Sequence, residues 1–349
     1  MEQRLTVLRL GTAPSPRFDR VLSEALRDVP AQMLPSWDGD LTDRRLLFAV
    51  SLDESGVAPD YYRLLAHLRT HPGCLEGSVG GILVDGPTAL YTKSLARELA
   101  LAASLAGCTF PGHPMVEAID RLQNFQVQAR NAGCDLTGAY QLAAAGLARR
   151  VLDFAPPRSR RPRLLALHTS SRATSNTLDL WSLMRPTLET SCAVTEIGLR
   201  TGTLVDCAGC PYTTCLHFGE QGGCFYGGAM VEEVYPALLD ADAVLLLCPN
   251  YNDALPANLT AAVNRLTALY RAAPFYDKAV YALVVSGYSG GDIVAAQAAD
   301  AMTLNKGFWL PARFCRLETA NDAGAALRLP GVQARMEDFA HQIVRQLTE

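Results

Sequence analysis

The 349-residue sequence contains no apolar run approaching the ~20 residues that a membrane-crossing helix requires, so no membrane role is expected. Its start, Met1-Glu2-Gln3-Arg4-Leu5, leads directly into a strand-like segment and lacks the zones of a secretory signal. The expectation is a cytoplasmic protein. An excess of one charge is also missing: 31 Lys and Arg stand against 35 Asp and Glu, a net charge of −4. That balance gives no long-range attraction to nucleic acid or anionic lipid. The one dense basic run, Arg158-Ser-Arg160-Arg161-Pro-Arg163, sits among prolines and reads as a solvated linker. No Ser-His-Asp or paired-carboxylate motif occurs in recognisable order, so no catalytic residue is named.

Apolar residues make up 49% of the chain and charged residues 19%, enough to bury two sizeable cores. In the second half, apolar β-branched runs at Leu164–Leu167, Val194–Leu199, Ala243–Cys248, Ala279–Val285 and Phe308–Leu317 alternate with amphipathic stretches. Those stretches are Thr174–Glu189, Tyr226–Asp240, Pro256–Ala272, Asp292–Lys306 and Val332–Leu347. Strands alternating with helices predict a parallel sheet covered on both faces. The first half echoes the scheme. Leu46–Val50, a helix from Pro59 and Gly80–Gly86 parallel Val244–Cys248, a helix after Pro256 and Val280–Gly287, and Gly107–Pro111 matches Gly307–Pro311.

The expected fold is α/β, two flavodoxin-like doubly wound parallel sheets of strand order 2-1-3-4-5, the first degenerate. Residues 1–153 form the first domain, 154–163 a proline-rich linker and 164–349 the second. The first copy keeps only Asp38–Asp43 between its second and third strands, too short for a crossover helix. Two prolines after its first strand, in Gly11-Thr-Ala-Pro-Ser-Pro16, remove backbone donors that a phosphate would need. Before the linker lies an Ala-rich helical region, residues 118–152, broken near Gly133.

The loop after the first strand of the second half, His168-Thr-Ser170-Ser171-Arg172-Ala-Thr-Ser175-Asn176-Thr177, opens directly into a helix. A helix cap needs one hydroxyl or amide side chain. This loop supplies seven, with Arg172 adding a charge, which suits a bound phosphate. The pattern Ser170-x-Arg172-x-x-Ser175-Asn176-Thr177 resembles the phosphate loop of NADPH-dependent FMN reductases and the related iron–sulfur flavoproteins, with Thr169 where glycine is usual. Pro249-Asn250-Tyr251-Asn252 is similar to that family's Pro-x-Tyr loop, followed by Pro256 and by Asn264-Arg265 in place of an Asp-Arg pair. The resemblance implies that Pro249 through Asn252 wrap the flavin edge and offer it backbone N–H groups. A third loop, Gly287-Tyr288-Ser289-Gly290, follows the fourth strand, where glycine admits close backbone approach.

Four cysteines, Cys207, Cys210, Cys215 and Cys224, lie on a Gly- and Pro-containing segment and can converge on one centre. Structural zinc takes four cysteines too, but zinc ribbons use two separated Cys-x-x-Cys knuckles and only one is present. Disulfides are disfavoured in a reducing compartment. The resemblance implies a [4Fe–4S] cluster beside FMN, with Met230 in register after the last ligand. Zinc and free thiols remain open. The other six cysteines, Cys74, Cys108, Cys134, Cys192, Cys248 and Cys315, read as small buried apolar residues. His217 reads as a solvated or hydrogen-bonded side chain, and Trp181 and Trp309 as core.

The resemblance therefore implies an FMN-dependent oxidoreductase that exchanges electrons between flavin and cluster, with NAD(P)H or a redox protein as partner. In that family a neighbouring subunit completes the flavin site; the expectation here is that the N-terminal copy fills that role within one chain, with a homo-oligomer the other arrangement. The alternatives are an NAD(P)H-dependent quinone or flavin reductase with zinc or thiols at the cysteine loop, and a non-catalytic electron carrier.

Overall fold

The computed structural model describes residues 4–11, 15–34, 37, 40–170, 174–199, 202 and 204–348. The chain divides into two compact units, Met1–Ala155 and Pro156–Glu349. The first contains β1 (Leu5–Leu10), α1 (Pro16–Ala25), β2 (Ala31–Leu34), β3 (Arg45–Ser51), α2 (Pro59–Thr70), β4 (Val79–Asp85), α3 (Thr92–Leu105), β5 (Met115–Ala118), α4 (Gln126–Ala132) and α5 (Leu136–Asp153). Its strands are parallel and ordered β2-β1-β3-β4-β5. The central strands β3 and β4 are buried along almost their whole length, as strands covered on both faces must be. Phe18, Val21, Leu22, Tyr140, Leu147 and Val151 bring α1 and α5 together on the sheet in one core. The Ala-rich region breaks where expected. Gly133 ends α4 at φ 65, and the Asp135 carboxylate caps α5 by accepting from the Gly138 N–H.

The second unit contains β6 (Arg163–His168), α6 (Asn176–Ser191), β7 (Ala193–Gly198), α7 (Tyr212–Glu220), α8 (Tyr235–Asp240), β8 (Ala243–Pro249), α9 (Ala257–Ala272), β9 (Ala279–Ser286), α10 (Gly291–Lys306), β10 (Cys315–Thr319) and α11 (Val332–Thr348). Its parallel order, β7-β6-β8-β9-β10, is again 2-1-3-4-5. Strands β8 and β9 are fully buried apolar runs. Trp181 and Trp309 lie in the core as expected.

Three local expectations are corrected. The run Phe308–Leu317 is not one strand: Trp309 makes a single bridge to Ala279, Arg313 adopts φ 50, and β10 begins at Cys315. Pro311 has no N–H to continue the ladder. The helix expected from Tyr226 begins at Met230, as a π-helical turn through Val234 that runs into α8. The cysteine segment is not all loop, since it contains α7. Gly219 lets α7 rest on α9, because a Cβ there would lie 2.2 Å from the Ala268 carbonyl oxygen.

Of the single cysteines, Cys108, Cys192, Cys248 and Cys315 are buried, while Cys74 and Cys134 are only half-buried. Burial pushes the Cys192 thiol up to about 11 and that of Cys315 to about 12, which keeps both protonated and inert near neutrality. Among the described residues no helix is long and apolar enough to cross a membrane.

Candidate functional site

In a doubly wound sheet, ligands bind beyond the carboxyl ends of the strands at the point where the strand order reverses. In the second unit that point lies between β6 and β8, and the loops following β6, β8, β9 and β10 surround it. Three asparagines knit those loops together. Asn176, in the first turn of α6, donates to the carbonyls of Ala320 (3.1 Å) and Asp322 (2.9 Å) and accepts from the Ala326 N–H (3.1 Å). The two N–H groups of Asn250 Nδ2 are shared among Ser286 Oγ (3.0 Å), the Ser289 carbonyl (2.9 Å) and Asp253 Oδ1 (3.1 Å). Asn321 donates to the Tyr288 hydroxyl at 3.0 Å. These bonds fix the loops of the edge to one another.

Within this frame three buried polar atoms have no hydrogen-bond partner among the described residues: Thr169 Oγ1, Ser170 Oγ and Asn250 Oδ1. Buried hydroxyls and amides are ordinarily paired, since an orphan costs roughly 1–3 kcal/mol. Acceptors or donors from a ligand would satisfy all three. Ser175 caps α6 by accepting from the Leu178 N–H at 3.2 Å. Its own O–H remains a donor, because a hydroxyl can do both. Thr177 is buried. Ser171 and Arg172 lie outside the described residues.

The flavin-edge expectation is refined. The Asn250 N–H is not available to a ligand, because it donates to the Val285 carbonyl at 2.8 Å. Pro249 ends β8 and is buried. Tyr251 and Tyr288 present exposed rings, Tyr288 at 80%. Asn252 and Asp253 are consecutively left-handed, at φ 56 and 52, which turns the chain back sharply. Gly290 is favoured by its left-handed backbone, and both Gly287 and Gly290 pack against the ends of neighbouring side chains. A Cβ on Gly290, at φ 78, would fall 1.8 Å from Asp253 Oδ1, and one on Gly287 would fall 2.9 Å from Asn321 Oδ1. Ser289 is exposed on the same turn and contributes its carbonyl to Asn250.

The four cysteines line a single cavity of about 210 Å³, together with Phe218, Phe225, Tyr226, Asn264, Arg265 and Arg271. Sequence reasoning grouped the thiols but missed the residues of α9 that build the walls. Asn264 donates to Asp206 Oδ1 at 3.0 Å, and Arg271 donates to the Tyr212 carbonyl at 3.2 Å while lying over its ring at 4.4 Å. Only the departure from the Asp-Arg pair at Asn264-Arg265 pointed there. Burial pushes the Cys215 thiol up, and the Arg271 guanidinium pulls it back in part. Burial likewise lowers Lys306, whose Nζ donates to Thr267 Oγ1 at 2.8 Å, against the opposing influence of Cys207 and Cys215. His217 is outside the lining and pairs with Gln221 at 3.2 Å. Among the described residues no three His, Cys, Asp or Glu side chains are grouped so as to hold a metal ion. The thiols line the cavity without meeting at one point.

Residues 162–321 match the family model described as NADPH-dependent FMN reductase. Comparison with curated proteins finds no match. Solved structures similar to the chain include RosB, with a bound 8-demethyl-8-formylriboflavin-5'-phosphate intermediate, at 12% identity over 53% of this chain and 79% of that one, TM-score 0.43. They include an NAD(P)H:quinone oxidoreductase from Methanothermobacter marburgensis, at 14% identity over 54% and 97% of the two chains, TM-score 0.38. An NADH:FMN oxidoreductase in its apo form shares 15% identity over 54% and 91%, TM-score 0.38.

Proposed function

We propose that the protein is an FMN-dependent oxidoreductase with its flavin at the carboxyl edge of the second sheet, a reading supported by the match of residues 162–321 to the NADPH-dependent FMN reductase family model. The observation that carries the site is the set of unpartnered buried atoms, Thr169 Oγ1, Ser170 Oγ and Asn250 Oδ1. Thr169, Ser170, Ser171, Arg172 and Ser175, with the first N–H groups of α6, would hold the phosphate. Asn176 would act on the phosphate indirectly, by fixing α6 to the loop after β10, and Thr177 would pack beneath it. Pro249, Asn250, Tyr251 and Asn252 would border one side of the ring, and Gly287, Tyr288, Ser289 and Gly290 the other. FMN, when bound, supplies a carrier that takes a hydride from NADPH or NADH and releases electrons singly or in pairs. The chain orients that carrier, covers it with two tyrosines and keeps the edge rigid through its three asparagines.

The proposal extends to Cys207, Cys210, Cys215 and Cys224 as holders of a [4Fe–4S] cluster. Support comes from the sulfur donor set and from the cavity size. About 210 Å³ is well above the ~10–15 Å³ that one water needs on the same measure. Such a cluster, when bound, takes one electron at a time. Helix α9 starts just past the flavin loop, and its residues 264–271 line the cavity roughly 10–21 Å further along the axis. Reduced thiols in the same cavity are the second reading, favoured because no three ligands are grouped for a metal ion among the described residues. The acceptor on either reading is a quinone-like small molecule or a redox protein.

The test is an absorption spectrum with iron and zinc analysis on protein purified without oxygen, followed by NADPH oxidation. Flavin absorption with NADPH turnover supports the oxidoreductase, and colourless protein that takes up no FMN contradicts it. About four irons per chain would support the cluster; flavin without iron would leave a flavin reductase with thiols or zinc.

A further inference from the structure

Arg265 is 3% exposed, lies on α9 and lines the cysteine cavity. Its Nη2 donates to the Gly227 carbonyl at 2.7 Å and its Nη1 to the Val205 carbonyl at 3.4 Å. Those two carbonyls flank the cysteine segment, one just before Cys207 and the other just after Cys224. Its backbone carbonyl accepts from the buried Tyr235 hydroxyl at 2.6 Å, which fixes this turn of α9 to α8. The Nε–H is buried and has no acceptor among the described residues. Leaving a charged donor unmade is costly, so an acceptor is expected where the side chain meets the cavity.

We propose that Arg265 is the positioning residue of the four-cysteine centre, clasping both ends of the segment through its two Nη groups and offering Nε–H to a cysteine-bound sulfur. This inference rests on the reading of Cys207, Cys210, Cys215 and Cys224 as ligands. Lysine could keep the charge, but its donors all radiate from one nitrogen, so it could not hold two separated carbonyls and a third acceptor in the fixed fork of the planar guanidinium. A hydrogen bond and a positive charge at the sulfurs stabilise the more negative, reduced state of such a centre and raise its potential. Arg271 and Lys306 add charge from the same side, yet each has its own partner in Tyr212 or Thr267.

The test compares full-length wild type, Arg265→Gln and Arg265→Lys purified without oxygen, with flavin content and far-UV circular dichroism confirming each fold. Iron content and midpoint potential are measured as purified, and the metal-free chains are titrated with cadmium(II) as a thiolate probe. Both variants should keep flavin and bind cadmium at least tenfold more weakly. Where iron is retained, the potential should shift negative, by about 59 mV for each tenfold change in the one-electron equilibrium. The lysine variant, which keeps the buried charge, decides the matter if Arg265→Gln does not fold. Unchanged cadmium affinity and potential, or full rescue by lysine, would overturn the role of Arg265. Wild type without iron whose tight cadmium binding is lost in Arg265→Gln would overturn the cluster and uphold Arg265. Wild type with iron and unaffected variants would do the reverse.

Discussion

Arg17 and Asn176 both stand in the first turn of the helix that follows the first strand of a 2-1-3-4-5 sheet, yet they treat the sheet edge in opposite ways. Arg17 reaches across to the buried Asp85 at the end of β4, with Nε–Oδ2 at 3.0 Å and Nη2–Oδ1 at 2.8 Å, and also donates to the Gly86 carbonyl at 3.2 Å. The edge of the first unit is therefore occupied by its own ion pair. Asn176 instead turns away to the loop after β10, and the Thr169 and Ser170 hydroxyls have no partners among the described residues. The turns of the two units match closely: Gly107 and Gly307 at φ 108 and 82, His113 and Arg313 at φ 53 and 50, Tyr91 and Gly290 at φ 75 and 78. One topology thus supports a closed edge and an open one, and side chains, not the fold, decide which.

Breaking the closed edge should have the largest effect. Asp85→Ala removes the carboxylate partner of Arg17, which keeps only carbonyl acceptors, and should destabilise the first unit by about 2–3 kcal/mol in urea unfolding. FMN affinity should stay unchanged, and its loss would break the assignment of flavin to the second unit. Next comes the open edge. Thr169→Ala with Ser170→Ala removes hydrogen bonds to a charged ligand and should weaken FMN roughly 10–100-fold in a fluorescence titration. Riboflavin, which lacks the phosphate, should bind as before; an equal loss for both flavins would place these hydroxyls elsewhere.

A smaller effect is expected from Gly290→Ala, about 1–2 kcal/mol in thermal unfolding, because a Cβ at φ 78 is strained and meets Asp253. Tyr91 shows that the first unit tolerates the same φ with a side chain, so an unchanged melting temperature would mean that φ alone is cheap in both units.

The smallest expected effect is a pH dependence specific to the second unit. Burial would raise the Glu318 carboxyl, but donors from Arg335 (2.8 and 2.7 Å) and Arg316 (3.0 Å) outweigh it and hold it below its ordinary 4.5. A depressed folded-state pKa gives stability that is present above 4.5 and lost as pH falls through the lower folded value. Glu318→Gln should therefore flatten the acid limb of second-unit stability; an acid limb of unchanged slope would remove Glu318 from the account.

Much of this comparison is legible in the sequence because strand burial and loop chemistry are local. The apolar runs around Val244–Cys248 and Val280–Val285 are strands since nothing else buries such stretches on both faces. The hydroxyl-rich loop after Leu167 and the prolines after Leu10 are equally local signals. What was hidden depends on tertiary contact. Helix α7 is nine residues long with no side-chain cap, and it forms where Gly219 lets it sit on Ala268 of α9. The clasp of Arg265 joins carbonyls at Val205 and Gly227 that no spacing rule connects. The Arg17–Asp85 pair joins residues far apart in sequence, so the closed edge could be inferred only from missing donors.

The most direct test of the central claim is the stoichiometry of FMN on the full-length chain, titrated by flavin fluorescence alongside riboflavin. The account predicts one FMN per chain, bound far more tightly than riboflavin. Two FMN per chain would mean that the edge closed by Arg17 and Asp85 binds flavin after all, and none would contradict the flavin site itself.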